Sequence, residues 1–150
     1  MFFQGATALS LDAKGRLGVP ARHRDALLET CAGNLVLTAH PHGCLLVYPA
    51  PAWEPIRDRV NGAPSLDINA ARLKRLIVGN ARDEVMDAAG RVLVAPELRA
   101  WAKLDKQVRL VGMGSHFELW SEEIWVQQQE EAAAQFASSG LPAGFENLAL

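Results

Sequence analysis

The sequence predicts an α+β fold, mainly β, built from two tandem β-hairpin/helix units with pseudo-twofold symmetry and flanking helices. Three observations lead there. Leu11-Asp12-Ala13-Lys14-Gly15-Arg16-Leu17 and Met86-Asp87-Ala88-Ala89-Gly90-Arg91-Val92 are nearly the same text, 75 residues apart in a chain of 150, and that spacing also carries Arg24 onto Arg99. Around each copy the apolar residues alternate with a period of two, as half-buried strands require. After each copy come a proline and a short stretch with helical spacing, the pattern of a helix start.

In chain order, residues 5–11 alternate, with Thr7, Leu9 and Leu11 on one face and Ala6, Ala8 and Ser10 on the other. Residues 12–15 form a tight turn, because Asp accepts from the backbone two residues on and Gly takes the positive φ that closes a hairpin. Residues 16–19 return as a strand and Pro20 ends it; a helix follows over 21–29 with His23, Ala26 and Leu27 one turn apart. Two further strands, 35–38 and 44–48, flank a His-Pro-His-Gly turn and are closed by Pro49 and Pro51. A short helix is expected over 53–60 and a linker at 61–65. A helix capped by Ser65 or Asp67 then turns Ile68, Ala71, Leu76 and Ile77 inward and Arg72 and Arg75 outward, ending at Gly79-Asn80.

The second unit replays the first: strand 81–86, turn 87–90, strand 91–94, Pro96, helix 97–103, and strands 108–111 and 117–120. Ser121 opens a last helix, with Glu123 as a partial capping box. Tyr48 and Trp53 are spaced like Trp120 and Trp125. The expected organisation is one unit over 1–62, a connecting helix over 63–80, a second unit over 81–136 and a loose tail over 137–150. Each half, at roughly 70 to 75 residues, sits where a single core is marginal, so mutual packing or oligomerisation is expected.

A formal charge of −2 does not announce a nucleic-acid binder. The distribution of charge says more. Lys14, Arg16, Arg22 and Arg24 cluster around the first turn, and Arg72, Lys74 and Arg75 follow on the connecting helix. Glu122, Glu123, Glu130, Glu131 and Glu146 lie in a C-terminal segment with no Lys or Arg after Arg109. Such polarity steers a basic face toward phosphate. Two cysteines without a C-x-x-C spacing, and no basic residue in the first eleven to open a signal peptide, point to the cytoplasm. No apolar run approaches the roughly 18 to 20 residues of a bilayer span, so a soluble chain is expected.

Placed at the end of a strand pair, the Arg of Asp-x-x-Gly-Arg has two uses. Asp12 can staple Arg16, and Asp87 can staple Arg91, each through a charge-assisted pair around the turn glycines Gly15 and Gly90. The same guanidinium can instead reach a base edge or a phosphate in a DNA groove. Ala88, Ala89 and Glu97 give Arg91 no added positive charge, which favours the staple there. Lys14, Arg16, Arg22, His23 and Arg24 outweigh Asp12 and Asp25 in the first copy, which draws it toward nucleic acid.

The pattern Asp12-x-Lys14-Gly15-Arg16-Leu17-x-Val19-Pro20 with Arg24, repeated from Asp87 through Gly90 and Arg91 to Arg99, resembles the bacterial MraZ family of tandem AbrB-like (SpoVT-AbrB) units. The likeness extends to Met1-Phe2, Gly5-Ala6, the strand ending at Pro49 with Trp53, the helix from Arg72 to Gly79, and Phe117-Glu118-Leu119-Trp120. It implies a swapped-hairpin β-barrel and a sequence-specific regulator of transcription. Such a protein would bind short direct repeats in double-stranded DNA, associate with the nucleoid, assemble as a homo-oligomeric ring, and act mainly as a repressor of a division and cell-wall gene cluster. It also ties the motif Arg to DNA, here Arg16 with Arg91 as its copy. Lys14, Arg22 and Arg24 would hold phosphates. Two departures from exact repetition stand out: Ala89 replaces the turn lysine, and the proline moves by one position, from Pro20 to Pro96.

Other chemistries fare worse. His40-x-His42-x-Cys44 has no evident fourth ligand and reads as a turn, so no metal is expected. No cofactor fingerprint, nucleophile elbow or phosphate loop is present, and an enzyme is not expected. Glu122-Glu123 and Glu130-Glu131 read as solvated helix faces; Trp53, Trp120 and Trp125 read as core and interface, and both cysteines as core. The competing function is an antitoxin-like or protein-interaction module of the same fold, in which both Asp-Arg pairs are purely structural. The sequence leaves two roles open for the acidic C-terminal helix: packing between subunits, or competing with DNA for the basic turn.

Overall fold

Each Asp-x-x-Gly turn closes where the sequence places it, but the strands it joins do not stay together. In the computed structural model, which describes residues 2–150, the first half runs β1 (Ala6–Ser10), β2 (Arg16–Gly18), α1 (Ala21–Cys31), β3 (Asn34–Ala39), β4 (Leu45–Pro49) and α2 (Ala50–Asn61). After α3 (Ile68–Ile77), the second half follows as β5 (Arg82–Val85), β6 (Arg91–Leu93), α4 (Pro96–Trp101), β7 (Gln107–Gly112), β8 (Phe117–Ser121) and α5 (Glu122–Ser139). One bridge, Leu11 to Leu17, holds β1 to β2 beside the first turn. Beyond it they diverge, β1 pairing with β7 of the other half and β2 with β6. In return, β5 pairs with β3 of the first half.

All these ladders are antiparallel, and the large sheet has the order β1-β7-β8-β4-β3-β5. Exchanging each strand for its repeat partner gives the same order reversed, so the predicted pseudo-twofold symmetry is built into the pairing. Leu17 faces Val92 and Leu46 faces Glu118, both pairs of repeat-equivalent positions, and the axis passes between them. The strands exchange between halves, and no closed barrel is detected among the described residues. Because β2 and β6 leave the sheet to pair with each other as a separate ribbon, β1 and β5 remain its open edges.

Alternation along the strands sorts the core. Leu35, Leu37, Leu45, Val47, Val108, Leu110, Phe117 and Leu119 point to one face of the sheet. There they pack on Leu17, Val19, Val92 and Val94 of the ribbon region, Leu27 of α1 and Leu98 of α4. On the other face Val36, Leu46 and Tyr48 meet Trp53 of α2 and Ile77 of α3, while Val111 and Trp120 meet Ile124 and Trp125 of α5. The ribbon and α5 thus lie on opposite faces of the sheet, so within one chain α5 does not cover the turns. Arg109 anchors α5 through two hydrogen bonds to Glu122, at 2.9 and 2.5 Å.

Several boundaries differ from expectation for local reasons. α2 starts at Ala50, three residues early, because Pro49 serves as N-cap and Pro51 fits the first turn, where no N–H is needed. α4 stops at Trp101, and Lys103 turns left-handed with φ 53°. Ser121 caps α5 by accepting from the Ile124 N–H at 3.4 Å, but the position able to complete a capping box is Ile124 itself, so Glu123 takes no such part. α5 continues to Ser139, into the segment expected as tail. Asp67, not Ser65, caps α3. Ile68 is not buried: it is 62% exposed, because only the C-terminal end of α3, at Ile77, is buried against the sheet.

Candidate nucleic-acid interface

The two turns are nearly superposable in their bonding. Asp12 Oδ1 accepts from the Lys14 and Arg16 N–H groups at 3.0 and 2.8 Å, and its Oδ2 accepts from Arg16 Nε at 2.7 Å. Asp87 Oδ1 accepts from the Ala89 and Arg91 N–H groups, both at 2.9 Å, and its Oδ2 from Arg91 Nε at 3.0 Å. Gly15 and Gly90 close the turns at φ 79° and 77°, where a side chain would be strained. The backbone N–H of the motif Arg does most to hold each Asp carboxyl below its ordinary range; burial opposes it, and the Arg side chain and the Lys14 or Ala89 N–H add to the lowering.

Both staples therefore exist, and they use only Nε. Among the described residues the Nη groups of Arg16 and Arg91 make no hydrogen bond. The carboxylate fixes the guanidinium while its outer edge stays open, so stapling and reading are compatible in one residue.

The ribbon decides what these edges face. Arg16 lies opposite Leu93 and Gly18 opposite Arg91, so these four share one face while Leu17 and Val92 point into the core. Diagonal neighbours on paired strands lie about 7–8 Å apart at Cα, which places both motif arginines side by side. Their side chains are 28% and 41% exposed, between a half-exposed Leu93 and a Gly18 with open space above it. This face thus carries two guanidiniums, each paired through Nε with its own turn aspartate.

The remaining predicted residues separate. Lys14 is exposed at the first turn, as its position requires. Arg24 belongs spatially to the other turn: its Nε donates to Val19 O at 2.7 Å, and a Cβ built on Gly90 would lie 2.3 Å from that nitrogen. Arg99 does the reverse, donating to Val94 O at 3.0 Å and lying 2.8 Å from a Cβ built on Gly15. Each turn is thus underpinned by the other half's arginine. The repeat showed Arg99 as the copy of Arg24, but not that the two change places.

Arg22 donates to Thr7 Oγ1 at 2.6 Å and lies over Gly5. Thr7 is five residues before Asp12, about 16 Å at the ordinary strand rise, so Arg22 lines the β1 edge rather than the turn. The repeat-equivalent pair is Glu97 with Arg82, at 2.9 Å. His23, grouped with the basic cluster by sequence, is buried edge-on between Phe3 and Phe117, and burial pulls its pKa down.

The other candidates lie elsewhere. His40 and His42 sit in their turn with rings 4.6 Å apart. Cys44 is fully buried, its thiol pKa pushed up by burial and by nearby Glu118. Cys31 is half-buried, its Sγ donating to Leu27 O. Trp53, Trp120 and Trp125 pack on the far side of the sheet from the ribbon, away from any base that the turns could meet. No helix among the described residues is long and apolar enough to cross a membrane.

Comparison with known proteins fits this two-fold layout. A family model described as "MraZ protein, putative antitoxin-like" matches twice, over residues 2–76 and 77–140. The chain is 63% identical over 148 residues to a protein of Dechloromonas aromatica (strain RCB) named Transcriptional regulator MraZ, covering 99% of each. Proteins of the same name from Aromatoleum aromaticum and Nitrosospira multiformis are 62% and 51% identical, again over 99% of each chain.

Proposed function

The chain belongs to the MraZ family, and from that membership we propose that it is a sequence-specific DNA-binding regulator of transcription that reads its site with the first turn. The observation that carries this reading is the half-used guanidinium of Arg16. Asp12 fixes it through Nε on an exposed ribbon face, next to a free-standing Lys14, and leaves two NH₂ groups for a guanine edge or a phosphate. Arg91 offers the same edge with Ala89 where Lys14 stands, so it is the weaker partner. Arg22 and Arg24, committed to the β1 edge and to the second turn, contribute positive charge to the surroundings rather than direct reading.

One patch of this size binds weakly. Short direct repeats in double-stranded DNA, met by several copies of the chain in a homo-oligomeric ring, would multiply affinity by about 10² to 10⁴ through effective concentration. Leu66 and Ile68, 99% and 62% exposed at the outer end of α3, supply apolar surface for such assembly. The regulator would act in the cytoplasm on the nucleoid, mainly as a repressor of a division and cell-wall gene cluster.

A second reading has support in the staples themselves: two turns bonded alike suit a protein-interaction or antitoxin-like module in which neither arginine meets DNA. Fluorescence-anisotropy titration of the DNA upstream of the protein's own gene, against a scrambled duplex over a salt series, separates the two. Selective binding that weakens steeply with salt is expected. Equal, weak binding to both duplexes favours the protein-interaction reading.

A further inference from the structure

The repeat is broken at the connection that leads from the short helix of each unit into its next strand. A left-handed residue follows each helix, Ala32 at φ 54° directly after α1 and Lys103 at φ 53° two residues after α4. Gly33 alone then leads into β3, whereas Leu104-Asp105-Lys106 leads into β7. Both connections dock on the opposite turn in the same way: Gly33 O accepts from the Met86 N–H at 2.9 Å, and Lys106 O accepts from the Leu11 N–H at 2.8 Å. The longer connection lies beside the first turn. It puts Lys103 where the other has Ala32 and adds Lys106.

The charges there are open to a ligand. Asp12, Gly15, Arg99, Asp105 and Lys106 line one concavity. Asp12 spends both oxygens on its own turn, and Asp105 turns Oδ1 back to the Lys106 N–H at 2.9 Å. Among the described residues Lys14, Arg99, Lys103 and Lys106 form no ion pair, whereas Arg57, Arg82 and Arg109 elsewhere do. Lys14 for Ala89, Lys103 for Ala32 and the inserted Lys106 each add positive charge on this side of the repeat, and the inserted Asp105 adds one negative charge.

We infer that the phosphate-holding surface of the first turn is composite: Lys103 and Lys106, brought across from the second unit with Arg99 beneath Gly15, grip the DNA backbone that flanks the base edge met by Arg16. This rests on the DNA reading above and adds to it. It makes the strand exchange functional, since the unit with the poorer turn supplies the lysines that the richer turn uses.

The test is the Lys103→Ala/Lys106→Ala double variant of the full chain, beside a Lys74→Ala/Arg75→Ala control on α3, titrated with specific and scrambled duplexes over a salt series. Two lost phosphate contacts per chain should flatten the slope of log affinity on log salt by about 2 for each chain engaged on the duplex. Affinity for both duplexes should fall together, leaving their ratio and the control unchanged. A slope and affinity equal to wild type, with Arg16→Ala impaired, would overturn the composite surface and leave the DNA reading intact. Loss of the ratio rather than of affinity would overturn it too, since phosphate contacts carry no sequence. If wild type shows no salt-sensitive binding, the DNA reading fails and this inference with it.

Discussion

At the scale of single residues, the turn aspartates do two jobs with one carboxylate. Asp12 and Asp87 each replace missing backbone partners in a four-residue turn, and each aims a guanidinium. An exposed ion pair adds little to stability, so what the pair supplies is direction. The pH dependence follows from the depressed carboxyl pKa values. A group whose pKa is lower in the folded chain lends stability that is present above its unfolded value and is lost as pH falls through the folded one. Both turns should therefore stay closed through the ordinary Asp value of 3.8 and open only below it. Amide resonances of Arg16 and Arg91, followed by NMR from about pH 5 down to about pH 2, check this; midpoints at or above 3.8 would show that the carboxylates are not held as described.

Among elements, the interlock of the two halves matters more than either hairpin. Arg24 lies against Gly90 and Arg99 against Gly15, so a methyl group at either glycine meets a guanidinium from the other half as well as an unfavourable φ. Gly15→Ala and Gly90→Ala should each cost more than about 1 kcal/mol, and the second should be no milder although only the first turn is assigned to DNA. Urea unfolding of both variants measures this; a harmless Gly90→Ala would contradict the interlock. The elements themselves were legible, because period-two alternation, turn aspartates and helix-starting prolines are local signals. Pairing was not. Nothing in the alternation of residues 5–11 says that β1 will join β7 rather than β2, since both choices bury Leu9 and Leu11 on the same face. Ile68 misled for a related reason: its helical spacing is real, but the sheet ends before the helix does.

At the scale of the whole molecule, the pseudo-twofold axis explains why the chain carries the motif twice. Two ribbon strands need each other to cover the core, and Leu17 and Val92 meet on the axis to do so. Symmetry in the scaffold leaves the surface free to differ, and charge has collected on one side of the axis. The basic residues named from the sequence divide accordingly. Lys14 and Arg16 stay together, Arg91 joins them across the ribbon, and the other two are drawn off, Arg22 by Thr7 of its own unit and Arg24 by Val19 O and the second turn's Gly90. The most direct measurement compares Arg16→Ala with Arg91→Ala for binding to the upstream DNA and to a scrambled duplex, after both variants are shown to melt near wild type. Assignment of reading to the first turn predicts that Arg16→Ala lowers selectivity by about 1–3 kcal/mol, roughly 5- to 150-fold, and that Arg91→Ala loses clearly less. Equal losses, or an Arg16→Ala protein that still discriminates the two duplexes, would contradict it.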